Sequence, residues 1–570
     1  MPVKSRWQCA IPQCSFPTYV FTSPTHPLPK APLYIDALSP TNHYLTTHSY
    51  RSTVVRIASG LISCGLFPGD RVLLYSGNNI YFPTVFTGII AAGGIFTGAN
   101  PTFTARELAY QLKDSEAEFL LVNVGSIDVG IEAAKMVGLD PEKVFVFDDG
   151  LYVDDEGGIV KWTTRERVKG VRHWSDIVMA GNDKFAWEEL STEEEVNRTA
   201  AINYSSGTTG VPKGVEITHR NFVANAQQNV HVRNQSQKPY VTPHWLCAIP
   251  MYHAYGQTYY ATIAPVRKIT TWILPKFDFH TFLSCVEQFK ITNISGVPPI
   301  MVALAKHPEV AKYNLSSVVN LGCGAAPLSR EISRAVEGRV SRGRGLKENI
   351  NLKQGWGMTE ATCSVMGFHP DDRDEDGSIG EVFPNCEGKI MDAETGTQEL
   401  SVGEKGEIWV RGPNVMKGYY KNSKATRETI TEDGWLKTGD IGYYNERKKW
   451  FIVDRKKELI KVKGNQVAPA ELEGLLLENP GIADAAVIGI AYAEDERPRA
   501  YIVLKPGASL IPDDVKKWVS ERASRHKWLT GGVVIVKDVP RNPSGKILKK
   551  VLRERAKTEV VDTADHRAKL

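Results

Sequence analysis

Two serines, two threonines, three glycines and a lysine crowd into residues 204–215, YSSGTTGVPKGV. Ser205, Ser206, Thr208 and Thr209 supply hydroxyls, Gly207, Gly210 and Gly214 let backbone N–H groups approach an anion closely, and Lys213 adds positive charge. This is the composition of a phosphate cradle, in a different order from the G-x-x-x-x-G-K-[ST] of a Walker A loop. A Ser/Gly linker has no reason to end in Pro-Lys-Gly ahead of a strand. Other reactive types lie downstream. His253 and Tyr255 are two apart in PMYHAYG, where an isolated histidine would read as a satisfied core residue. Thr359-Glu360 pairs a hydroxyl with a carboxylate of the kind a hard cation takes, or that a helix uses as a cap. Five basic residues lie within residues 455–463, and Lys546 stands in a glycine-flanked PSGK loop able to insert into a cleft.

More than one core must position these groups, because 570 residues exceed what a single core fills. With 42% hydrophobic and 24% charged residues the composition is that of a soluble globular protein. The net charge of +4, from 69 basic and 65 acidic residues, does not point to a nucleic-acid binder. Eight cysteines include no C-x-x-C pair, which argues against a disulfide framework or zinc site and for a reducing compartment. The first residues, MPVKSRWQCAIPQC, lack the apolar core of a secretory signal. Only residues 82–99 approach transmembrane length, and their Thr, Gly and Pro favour a buried helix instead. The ending Ala568-Lys569-Leu570 resembles a peroxisomal address read by an import receptor, so a peroxisomal matrix location is expected, otherwise a cytoplasmic one.

Strand-like RVLLY, the apolar segment after it, a Thr104…Glu107 capping box opening a helix, and strand-like FLLV alternate as in α/β layers with a largely parallel sheet. Residues 149–183 read as a polar surface excursion. Beyond about residue 376 short strands and hairpins take over, with a turn at Asn445-Glu446-Arg447. From Lys456 a charged stretch leads into a smaller α+β segment: helix PAELEGLLLENPG, strands AAVIGI and RAYIVLK, helix DDVKKWVSERAS. The expected domains are residues 1–456 and 457–570.

The 204–215 run resembles the signature of the adenylate-forming superfamily of acyl-CoA synthetases, adenylation domains and beetle luciferases. Seven further segments follow in that family's order: PMYHAYG, GCGAAPL, QGWGMTE, GEIWVRGP, DGWLKTGDI, FIVDRKKELIKVKGNQVAPAELE and PRNPSGKILKK. The likeness spans roughly residues 45–555 and is greatest to 4-coumarate–CoA ligases and their fungal relatives. It implies a large N-terminal domain of layered α/β sheets with a small β-barrel-like part, then a small mobile α+β C-terminal domain. It also implies ATP, Mg²⁺, a carboxylic acid and coenzyme A as cofactor and substrates. The acid would become an acyl-adenylate and then a thioester. Loading of a carrier-protein thiol and a non-catalytic AMP-binding role stay open as alternatives.

Site roles follow from the resemblance, residue by residue. The loop Ser205, Ser206, Gly207, Thr208, Thr209, Gly210 and Lys213 would hold the β/γ-phosphates. Thr359 would touch the α-phosphate and Glu360 the magnesium. Gly324, Ala325 and Ala326, with Gln354, Gly355, Trp356 and Gly357, would enclose the adenine; Trp356 stands where the family has Tyr. Asp440 and Arg455 would hold the ribose. Lys546 would bridge the acyl carboxylate and α-phosphate, and Lys457 would be the hinge. Lys461 and Gln466 complete the nucleotide set after rotation of the small domain, whose Lys463 and Gly464 would admit CoA with Tyr255 and Lys276. The acyl pocket would take His253, Tyr255, Pro299, Gly324, Ala361, Cys363 and Ser364. Where 4-coumarate ligases continue TEA with Gly, Pro and an apolar residue, this chain has Thr362-Cys363-Ser364, which puts a hydroxycinnamate substrate in doubt and leaves aryl and medium-chain acids open.

Overall fold

Alternating apolar runs close into two large sheets. The computed structural model describes residues 1–23, 26–150, 165–205, 212–238, 241–342, 349–462, 465–492, 495–542 and 545–559. One sheet runs, in spatial order, Gly418–Tyr419, Lys213–Thr218, Thr199–Ser205, Ile95–Ala99, Arg71–Tyr75, Ala117–Asn123, Val144–Phe147 and Arg172–His173. Its last six strands are parallel; Lys213–Thr218 folds back antiparallel on Thr199–Ser205. The other runs Leu352–Gln354, Asn320–Cys323, Asn293–Gly296, His244–Cys247, Thr270–Ile273, Pro32–Asp36 and Tyr44–Thr46, parallel except at the last pair. Both sheets feed one continuous core. Strands buried on both faces need such unbroken Val/Ile/Leu runs.

The expected helix after RVLLY is shorter than its apolar run. It spans Phe82–Ala91, and after Gly93, at φ +79°, the chain returns as the strand Ile95–Ala99. Among the described residues no helix is long and apolar enough to cross a membrane. Thr104 caps the helix Ala105–Ser115 as its sequence requires, with Glu107 reciprocating. Residues 149–183 correct a second expectation, as far as they are described. Trp174, Ile177 and Val178 are fully buried, so the stretch from Arg172 is core rather than surface.

A five-stranded antiparallel sheet of Val3–Lys4, Glu387–Met391, Gly406–Arg411, Leu436–Tyr444 and Trp450–Arg455 stands beside these layers. After it the chain builds a separate core. Among the described residues, the hairpin Ile460–Val462/Asn465–Val467, the sheet Ile482–Tyr492/Asp495–Leu504/Val533–Ile535 and the helices Pro469–Leu477, Pro512–Ser520 and Lys549–Ala556 share no buried cluster with residues before 460.

Candidate functional site

A cleft of about 1260 Å³ separates this last unit from the layered sheets. Its walls include Ala325, Ala326, Arg455 and Lys546. The wall strands end here because parallel strands deliver their carboxyl ends to one rim, where irregular backbone can bind ligand. Asn320–Cys323 leads into Gly324-Ala325-Ala326, and Leu352–Gln354 into Gly355 and Trp356. Gly355 N–H donates to the Cys323 carbonyl at 2.9 Å, and Leu328 N–H donates to Gln354 Oε1 at 2.8 Å, tying the two segments together.

The backbone is strained at this rim. Ala325 sits at φ +72°. Thr362, at φ 65° and ψ −53°, is the centre of a γ-turn closed by Cys363 N–H on the Ala361 carbonyl at 2.7 Å. Both are sparsely populated conformations for residues with a Cβ, of a kind that collects at functional sites. The same turn brings the chain so close to Gly357 that a Cβ there would lie 1.6 Å from the Cys363 carbonyl oxygen. Only glycine fits.

Electrostatically the site is a ring of opposed charges. Asp440 and Arg455 face each other across paired strands, Nε to Oδ1 3.4 Å. Burial holds the Asp440 carboxyl above its usual range, with the Arg455 charge and the Trp356 hydrogen bond acting against that. Burial pushes Lys546 down to about 8, helped by Arg455 and opposed by Asp440, Glu458 and Glu360. Burial, then the Lys546 charge, bring His253 to about 4, so its ring is neutral at physiological pH. The described part of the PSGK loop thus places its lysine among the carboxylates that the resemblance gives to ribose and magnesium.

Two contacts were not legible in the sequence. Trp356 Nε1 donates to Asp440 Oδ2 at 2.9 Å, so the indole fixes the carboxylate besides presenting a ring face. Tyr419 donates its hydroxyl to Glu360 Oε1 at 3.0 Å, while Lys213 Nζ lies 4.8 Å over its ring. Tyr419 therefore links Lys213 to Glu360. The signal available was its place in a two-residue edge strand against Val215, which only the fold reveals.

Some expected residues gather and others do not. His253, Tyr255, Gly324, Gln354, Gly355, Trp356, Gly357, Thr359, Cys363 and Ser364 line one connected cavity of about 210 Å³. Ala361 is fully buried behind it. Pro299 lines the larger cleft, where Gly545 meets it. Ser205 Oγ is buried with no hydrogen-bond partner among the described residues. Lys461 and Gln466 pair across the small hairpin and are exposed, outside both cavities, as is Lys276. Lys457 is exposed in the connecting turn. Ser206, Gly207, Thr208, Thr209, Gly210, Lys463, Gly464 and Ala568-Lys569-Leu570 lie outside the described residues.

Gly545 gives a sharp test of the loop. It sits at φ +82°, and a Cβ would stand 3.0 Å from Val297 Cγ2 and 3.1 Å from Pro299 Cδ. Gly545→Ala should cost about 1–3 kcal/mol of loop placement, roughly 10–100-fold in rate for the step using Lys546. Single-turnover assays of each half-reaction check this. An equal loss in both would show the loop is needed throughout.

The fold and site define an adenylate-forming enzyme: a cleft between two units, with a lysine of the C-terminal unit near a buried Asp440–Arg455 pair. The family model described as AMP-binding enzyme matches residues 26–420, and that for the AMP-binding enzyme C-terminal domain matches residues 471–546. The phenylacetyl-CoA ligase epaB of Aspergillus niger is 35% identical, over 96% of this chain and 97% of its own. A 4-coumarate–CoA ligase of Vanilla planifolia is 37% identical, over 89% and 88%. ATP-bound MatB from Rhodopseudomonas palustris superposes with TM-score 0.80 at 26% identity, covering 95% of this chain and 99% of that one. The chain belongs to the AMP-binding enzyme family, and in class it is an AMP-forming acid–thiol ligase.

Proposed function

We propose that the chain activates a carboxylic acid as its acyl-adenylate in the pose described and then passes the acyl group to coenzyme A. The observation that carries this reading is Lys546 of the C-terminal unit set among Asp440, Arg455 and Glu360 of the N-terminal one. In the first half-reaction a carboxylate oxygen attacks the α-phosphorus of ATP and pyrophosphate leaves. Cationic groups already in place offset the charge that builds on the phosphoryl oxygens. Lys546 bridges the two anions, Lys213 meets the departing phosphates, and Asp440 accepts from the ribose hydroxyls, held by Trp356. Glu360 suits Mg²⁺, which binds through one or two carboxylates plus substrate phosphates and water. It is 8% exposed and oriented by the Tyr419 hydroxyl. Bound there, the ion would neutralise phosphate charge.

In the second half-reaction the thiolate attacks the acyl carbon and AMP leaves. Lys461, Lys463, Gly464, Gln466 and Lys276 serve that step only after the small unit rotates about Lys457, consistent with the exposure of Lys461, Gln466 and Lys276 here. Neutral His253 lines the path between acyl pocket and thiol without adding charge that would hold AMP back. The substrate is an aryl or medium-chain acid, since a cavity of about 210 Å³ exceeds the roughly 150 Å³ that accepts benzene by only a few atoms. Where Ala568-Lys569-Leu570 form a free C-terminus they direct import into peroxisomes, which microscopy of the chain with and without them tests.

A carboxylic-acid panel with and without CoA tests the chemistry. Pyrophosphate release, AMP and an acyl-CoA product are expected. Adenylate without thioester would favour carrier-protein loading, and no pyrophosphate from any acid would leave a non-catalytic nucleotide binder.

A further inference from the structure

The acyl cavity has a second, cationic end. Strand register sets its depth. Asn293 pairs with Asn320, Ser295 with Gly322, and Gly322 with Lys353, so these residues share one face of the parallel sheet. On the ligase reading the adenylate would lie at the carboxyl ends, beyond Gly296 and Cys323. Three residues back along the strands, about 10 Å at roughly 3.3 Å per residue, is the rung of Asn293 and Asn320. Both side chains line the cavity.

Two basic side chains, Arg233 and Lys353, line this part of the cavity, and the carboxylates of Asp371 and Asp372 lie near Lys353 without lining it. Arg233 ends the helix His219–Arg233, and its guanidinium lies 5.5 Å from the ring centres of both Trp245 and Tyr259. Trp245 pairs in register with Asn293, which fixes Arg233 at the far rung. Among the described residues Arg233 makes no ion pair with a carboxylate. Lys353 Nζ donates to the carbonyls of His369 and Pro370, using two of its three N–H bonds. Stacked guanidinium and anchored ammonium are pre-oriented, so an incoming anion would not have to order them. An apolar acyl tail would instead bury its end against two cations and two amides.

We infer that the acid this enzyme activates carries a second anionic group, a carboxylate, about 10 Å from the one that is adenylated, and that Arg233 and Lys353 receive it. Arg233 suits it through a bidentate pair, with Lys353, Asn293 and Asn320 supplying further donors. This inference rests on the ligase reading above and refines its substrate.

Matched acids separate the two: suberate against octanoate, and 4-(4-carboxyphenyl)butanoate against 4-phenylbutanoate, each followed as acyl-CoA formed by the full chain. At least tenfold higher kcat/KM is expected for the diacid of at least one pair. In Arg233→Met that diacid should lose at least tenfold more than its partner monoacid, with Arg233→Lys intermediate. Wild-type enzyme that takes the monoacid of both pairs as well or better overturns the inference while leaving the ligase reading intact, whether or not the variants fold. An equal loss of diacid and monoacid in Arg233→Met also overturns it. No thioester from any acid would reject the ligase reading, and the inference with it.

Discussion

Lys546→Met enzyme should lose acyl-adenylate formation by about 10²–10³-fold, the effect of deleting one donor from a charge-stabilising site, while still converting supplied acyl-AMP and CoA to thioester. The division follows from placement. In this pose Lys546 feels the charges of Asp440, Glu360 and Arg455, where ATP and acid would meet. Its pKa, held at about 8 chiefly by burial, adds a second signature. The charged ammonium is the working form, so adenylation kcat/KM should fall as pH rises through about 8 in the free enzyme. Two bound anions favour the charged form, so the same limb should appear at higher pH in kcat. Lys546→Arg keeps its charge at all these pH values and should lack the limb even if it is slow. A limb unchanged in Lys546→Arg, or equal loss of both half-reactions in Lys546→Met, would refute the assignment.

The alternation of apolar runs made the layered sheets legible, because parallel strands leave little choice but unbroken Val, Ile and Leu. Caps such as Thr104…Glu107 were legible for the same local reason. The end of the helix Phe82–Ala91 was less so, since Gly93-Gly94 is a break that an apolar run can also absorb. Buried Trp174 and Ile177 were hidden by polar neighbours, and only packing shows which of those residues face inward. In the site, residues in contiguous motifs were found together. Links that span the fold were not: Trp356 to Asp440 joins positions 84 apart, and Tyr419 to Glu360 joins positions 59 apart. Arg233 and Lys353 lie in no motif and meet only because a helix end and a strand share one cavity.

Lys549→Met should destabilise the protein by about 3–5 kcal/mol, the range for removing one partner of a buried ion pair. Lys549 Nζ lies 3.1 Å from Glu473 Oε1, with side-chain exposures of 11% and 14%. Asp454, 7% exposed, adds a second carboxylate and accepts from Ala470 N–H at 2.9 Å. Burial opposes the ammonium's charge, yet Glu473 and Asp454 more than offset that and hold its pKa above the ordinary value. The stability this gives is therefore present below about pH 10.5 and lost only as pH rises through the higher folded value. Without Lys549, two buried carboxyls face each other and burial holds both above their usual range. The variant's native state then takes up protons near pH 5 that its unfolded state does not, so its deficit should narrow from pH 7 to pH 5. Lys549→Met combined with Glu473→Gln should recover part of the loss. Denaturant unfolding at both pH values measures this, and a deficit below about 1 kcal/mol, or one unchanged with pH, would show that the cluster is solvated instead. Asp454 belongs to the last strand of the five-stranded antiparallel sheet, whereas Glu473 and Lys549 belong to the C-terminal unit. The cluster thus holds the two units in the pose where Lys546, three residues before Lys549, enters the cleft. Breaking it should slow adenylation more than thioester formation, because only the first step needs this pose.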